Sequence, residues 1–208
     1  MMNPRSCAIV FVTAAALLIP VLADAQYANT LRGTLHAFVN LTKSRCGSAK
    51  GLVDAARVEG NAALVTSSQL MADYICTCLP GRAQGVIESL SDQELSRQVD
   101  ETEFTRIAKP RIIDVCAGQM FRSMFDGDAC GSQFVSAGET PEKMRSICDC
   151  MRTEVKGYSD AEASDIGLGM SNYLPRLAEA RKARQPDPFP PPGLERLLAA
   201  TKRCGGKL

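Results

Sequence analysis

The 208-residue chain has no tryptophan, a single histidine and a formal net charge of only +1. Each scarcity excludes a class of function. Phe, Tyr and Trp together make up 5% of the chain, so the rings on which sugar-binding clefts and base-stacking platforms rely are few. Near-neutrality gives no strongly basic face for nucleic acid. With one histidine, any Ser-His-Asp or Cys-His site must use His36. That residue falls on the polar stripe of an amphipathic segment beside Arg32 and Asn40, which marks it as a solvated side chain. There is no GxGxxG, no Walker-type phosphate loop and no HExxH. No catalytic residue, cofactor or metal is therefore assigned. After residue 25 no stretch is apolar enough to cross a bilayer.

What precedes residue 25 is different. Arg5 is followed by an apolar run from Cys7 to Ala23, then by Ala23-Asp24-Ala25, a small-x-small triplet suited to a signal peptidase. A short basic head, an apolar middle and such a triplet mark a cleaved export signal. Cleavage after Ala25 discards Cys7 and leaves 183 residues, Gln26 to Leu208, with eight of the nine cysteines. An exported chain meets an oxidising compartment, the bacterial periplasm or the exterior, where cysteines pair and persist. Four disulfides are the expectation.

The eight cysteines fall into two quartets with matched neighbours. Cys46-Gly47-Ser48 corresponds to Cys130-Gly131-Ser132, and Ile75-Cys76-Thr77-Cys78 to Ile147-Cys148-Asp149-Cys150. Ser91-Asp92-Gln93-Glu94 resembles Ser159-Asp160-Ala161-Glu162, and Cys116-Ala117-Gly118 matches Cys204-Gly205-Gly206. Four matched sites in one order predict a tandem duplication: repeat 1 over residues 26–125 and repeat 2 over 126–208. Ser91-x-x-Glu94 and Ser159-x-x-Glu162 have the form of capping boxes, which accounts for their carboxylates without catalysis.

Apolar spacing is helical almost throughout. Leu31, Leu35, Phe38, Val39 and Thr42 share one stripe of a helix over about 30–43. Ser48 is expected to cap a second helix running to about Val58, and Pro80-Gly81 to end or kink the helix carrying the first Cys-x-Cys motif. Further helices are expected after Pro110 and over 194–203. The fold class is thus all-α, two disulfide-stapled helical repeats packed together. "PDPFPPPG", residues 186–193, reads first as a stiff connector between two helices, and second as a docking segment for an aromatic groove.

Cysteines at i and i+2 seldom bond each other, because the ring is strained. Around a helix they point about 200° apart, so one helix can be stapled on two sides. Two connectivities per quartet remain. Either Cys46 joins Cys76 and Cys78 joins Cys116, or Cys46 joins Cys78 and Cys76 joins Cys116; the second quartet offers the same choice. The rival use of Cys-x-Cys, thiol-disulfide exchange, needs an exposed thiol of depressed pKa. Neither motif has an adjacent His or Lys, though Arg82 and Arg152 lie within about a turn. A zinc site from each quartet fits the ligand types but not an exported setting.

Charge is unevenly distributed. Val86 to Glu103 holds six acids and one Arg, net −5; Leu174 to Leu208 holds eight basic residues and three acids, net +5. Together these features describe an exported, disulfide-stabilised helical binding protein, protein-binding or inhibitory, whose partner is another extracytoplasmic protein. The alternatives are a carrier of a lipid or other apolar ligand, and a thiol-disulfide oxidoreductase. The exported protein should begin at Gln26 and, denatured without reduction, titrate with no free thiol. Two or more reactive thiols per chain would overturn the four-bridge expectation.

Overall fold

The apolar stripe that begins at Leu31 does not stop at residue 43. Buried positions continue at Thr42, Ala49, Val53 and Ala56, with half-buried Cys46 in step between them. Helix α1 therefore runs unbroken from Leu31 to Val58, and the break expected at Cys46-Gly47-Ser48 is absent. Gly47 and Ser48 are exposed and cost the helix little more than their weak propensity. The N-terminal cap is Thr30, whose hydroxyl oxygen accepts from the Gly33 N–H at 3.2 Å.

This architecture is seen in a computed structural model that describes residues 30–60, 62–126, 130, 139–190 and 192–206. The export signal over 1–25, with Cys7, and Gly131-Ser132 of the second CGS triplet lie outside them. Among the described residues there is no β-strand, and Thr30 and Gln98 form a single isolated bridge.

After Gly60, α2 (Ala62–Asp73) leads into a π-helical turn at Tyr74–Cys78 and then α3 (Leu79–Ser89). Pro80 neither ends this helix nor leaves a carbonyl crowded. The Leu79 N–H reaches back five residues to the Tyr74 carbonyl, so the widened turn absorbs the proline ring. A second π-turn also lies at a proline. Helices α5 (Glu101–Ala108) and α6 (Asp114–Ser123) are joined by a π-turn at Lys109–Ile113 that contains Pro110. The helix expected to begin after Pro110 thus begins at Glu101, capped by Asp100.

Both capping boxes form. Ser91 starts the one-turn α4 (Asp92–Leu95), and Ser159 starts the 23-residue α8 (Asp160–Lys182). In each, the Ser hydroxyl accepts from the Glu N–H and the Glu carboxylate accepts from the Ser N–H. The Ser91 hydroxyl, which also donates to Glu94, and the Ser91 N–H hold the Glu94 carboxyl below the usual range, and the Ser159 N–H and hydroxyl do the same for Glu162. Two further helices among the described residues are α7 (Pro141–Lys156), which carries the second Cys-x-Cys motif, and α9 (Pro192–Arg203).

Two apolar clusters divide the interior. The first gathers α1, α2, α3 and the N-terminal part of the α5–α6 rod, with Phe38 against Phe104 at 6.1 Å between ring centroids. The second gathers α7, α8 and α9 around Phe121, Phe125 and Tyr158. Helix α6 serves both: Cys116 and Ala117 face the first cluster, Phe121 the second.

Helix α6 also packs directly on α8. An added Cβ on Gly118 would lie 3.0 Å from both the Cα and the carbonyl oxygen of Asp160. Arg122 clamps the same spot, donating to the Asp160 carboxylate at 2.7 Å and to the Tyr158 carbonyl at 3.0 Å. Gly118→Ala should therefore destabilise the protein by about 1–3 kcal/mol through overpacking, although Ala is the better helix former. Gly85→Ala, on the exposed side of α3 with open space around it, should instead be neutral to stabilising. Denaturant midpoints of the two variants should move in opposite directions; a shared direction would mean that Gly118 is not a close-packing residue.

Candidate functional site

The eight motif cysteines form four pairs: Cys46–Cys76, Cys78–Cys116, Cys130–Cys148 and Cys150–Cys204. Their Cα atoms are 4.9 to 5.8 Å apart, within the span a disulfide needs. In both quartets the first cysteine joins the second and the third joins the fourth. Of the two connectivities open from sequence, this is the one in which the CGS cysteine takes the leading member of Cys-x-Cys.

The geometry follows from the helix. Cys76 and Cys78 leave opposite sides of the π-turn, Cys76 toward α1 and Cys78 toward α6. Cys148 and Cys150 do the same from regular α-helix, Cys148 toward Cys130 and Cys150 toward Cys204 at the end of α9. The middle residues, Thr77 and Asp149, are exposed. With every motif sulfur paired, none of these residues is a thiol available for metal or exchange. Arg82 is exposed. Arg152, the other cation near a motif, donates to Asp126 at 2.7 Å and to Asp149 at 2.6 Å.

Each side of the first motif bears a solvent-facing groove. One, about 330 Å³, is lined by Leu70, Tyr74, Met120 and the Cys78–Cys116 bridge. The other, about 410 Å³, is more polar and is lined by Lys50, Asp54, Arg57 and the Cys46–Cys76 bridge. Asp73 and Thr77 line both and form the ridge between them. Burial, reinforced by the charge of Asp114, pushes the Tyr74 phenol well above its ordinary range, so it stays neutral.

His36 is exposed on α1, as its stripe implies. Asp92 pairs with Arg32, and Glu103 with Arg97 and Arg106. In the basic C-terminal segment Arg181 pairs with Asp187, Arg196 with Glu162 and Arg203 with Glu154. Part of each charged segment thus pairs with its own surroundings. Sequence reasoning missed one cluster, Lys109 bridging buried Asp114 at 2.9 Å and Asp165 of α8 at 3.3 Å. Burial opposes the lysine's charge, but the bonds and charges of the two aspartates outweigh it and hold its pKa above the ordinary value. No apolar or motif pattern signals a contact 56 residues apart.

Comparison with protein-family models, curated proteins and solved structures found no match.

If the bridges act by limiting the unfolded chain, their contribution should rank by enclosed length. Cys150–Cys204 spans 54 residues and Cys130–Cys148 spans 18. Removing both cysteines of the longer bridge should cost about 4 kcal/mol, and of the shorter about 3 kcal/mol. Urea unfolding of Cys150→Ser/Cys204→Ser and Cys130→Ser/Cys148→Ser checks the order. A negligible loss for the longer bridge would count against a stabilising role.

Proposed function

We propose that this chain is an exported, disulfide-stapled helical scaffold that works by binding another extracytoplasmic protein, without catalysis. The observation that carries the reading is the pairing of all eight motif cysteines on opposite sides of the two motif helices. Bridges so placed hold helices at fixed positions in an oxidising compartment, and a rigid surface loses little entropy on association. No helix of the described residues is long and apolar enough to cross a membrane. We also read the two halves, 26–125 and 126–208, as copies of one duplicated unit. The shared pairing order and the two capping boxes support that ancestry.

The test uses the mature protein immobilised in the native extracytoplasmic fraction, with mass spectrometry of what is retained. A protein held saturably, and displaced by free mature protein, is the expected result. Retention should persist in Cys150→Ser/Cys204→Ser wherever that variant remains folded. The same preparations should not catalyse disulfide exchange on a reduced, scrambled test protein. Exchange by the wild type, lost in Cys150→Ser with an unchanged melting curve, would replace the scaffold by an oxidoreductase.

A further inference from the structure

The proline-rich connector holds an aromatic ring in water. Phe189 is 94% exposed, the most exposed large apolar side chain among the described residues. Its neighbours Pro188 and Pro190 are half-buried. Two partly covered prolines thus flank a ring that faces solvent. The prolines also fix their own φ angles.

Both ends of the connector are anchored. Arg181 donates to the two carboxylate oxygens of Asp187 at 3.1 and 3.3 Å, and the Gln185 N–H donates to the Ala180 carbonyl at 2.8 Å. Arg184 takes a left-handed φ of 55° where α8 turns into the connector, a conformation few non-glycine residues adopt. At the far end a Cβ on Gly193 would lie 3.0 Å from Ile166, so the start of α9 is pressed against α8. A flexible linker needs none of these contacts. Close by in sequence, Lys182 and Arg184 are exposed and have no ion-pair partner among the described residues, while the charge of Arg181 is taken by Asp187. The ring is therefore accompanied by net positive charge.

We propose that residues 181–190 are a docking loop, in which Phe189 enters an apolar, aromatic-lined pocket of another extracytoplasmic protein and carboxylates at the pocket's rim meet Lys182 and Arg184. This rests on the protein-binding reading above. A preorganised proline segment loses little conformational entropy on binding, which is why aromatic grooves recognise such segments. Rim charges of opposite sign add steering. A membrane surface fits less well, because one ring and two cations fall short of the apolar area interfacial anchors bury.

The experiment places photo-reactive p-benzoylphenylalanine at 189 in the purified mature protein and irradiates it with the extracytoplasmic fraction. Val58, 90% exposed at the end of α1, receives the same group in a control. The expected adduct forms from 189 and not from 58, and maps to residues bordering an apolar pocket with Asp or Glu at its rim. Unlabelled Phe189→Ala should need about 10- to 100-fold more protein than wild type to suppress the adduct, the effect of withholding one buried phenylalanine side chain. Its melting curve should match wild type, since the ring has no packing to lose. Lys182→Gln/Arg184→Gln should slow association and weaken its salt dependence. Equal adducts from 58 and 189, adducts to a second copy of this chain, or binding to phosphatidylglycerol vesicles that needs Phe189 would each overturn the docking loop. If the immobilised protein retains a partner but 189 forms no adduct with it, the loop falls and the protein-binding reading stands. If nothing is retained or cross-linked, both fall.

Discussion

Two side chains separated by one residue on a helix cannot face the same neighbour. That rotation, about 200° around the axis, sets the arrangement of both motif helices, because each must lie between the two elements it is bridged to. In the first half the π-turn is held between α1 and α6. In the second, α7 is held between Cys130 and the end of α9. The grooves flanking Asp73 and Thr77 follow from the same rotation: bridges leaving on opposite sides keep the exposed middle of the motif as a ridge between them.

Proline is usually a helix terminator because it removes a donor and crowds the preceding turn. Here Pro80 and Pro110 each sit at a π-turn within a continuous helical rod. At Pro80 the widened turn precedes the ring, with the Leu79 N–H bonded to the Tyr74 carbonyl; at Pro110 it encloses and follows the ring, with the Asp114 N–H bonded to the Lys109 carbonyl. The second motif helix has no proline after Cys150 and stays regular α-helix. The difference between the motif helices thus traces to one local feature, Leu79-Pro80 against Met151-Arg152.

Much of this was legible in the sequence, and the exceptions have physical causes. The all-helical class follows from apolar spacing, and both capping boxes from Ser-x-x-Glu. The continuity of α1 was legible too, since Cys46 falls in step with Thr42, Ala49 and Val53; the weak helix formers Gly47 and Ser48 obscured it. Disulfide pairing was narrowed to two choices per quartet, because spacing fixes which sides of a helix the sulfurs leave but not which neighbour stands on each side. The exposure of Phe189 was not legible. A phenylalanine among prolines is compatible with core or surface until the fold decides its direction.

The contact between α6 and α8 shows how one face can be specified rather than merely stabilised. Close approach at Gly118 brings the helices together but leaves their sliding free. Lys109 limits that freedom by reaching both buried Asp114 and Asp165 of α8. An exposed ion pair adds little net stability, yet a register that draws Asp165 away gives up this contact, while Lys109 stays with buried Asp114 on its own rod. Arg122 imposes the same condition from the other side of Gly118 through Asp160, a residue already fixed at the start of α8 by the Ser159 capping box. The close approach at Gly118 and the two ion pairs flanking it thus favour one docking of α8 on α6, and with it the position from which α8 delivers the chain into the proline-rich connector.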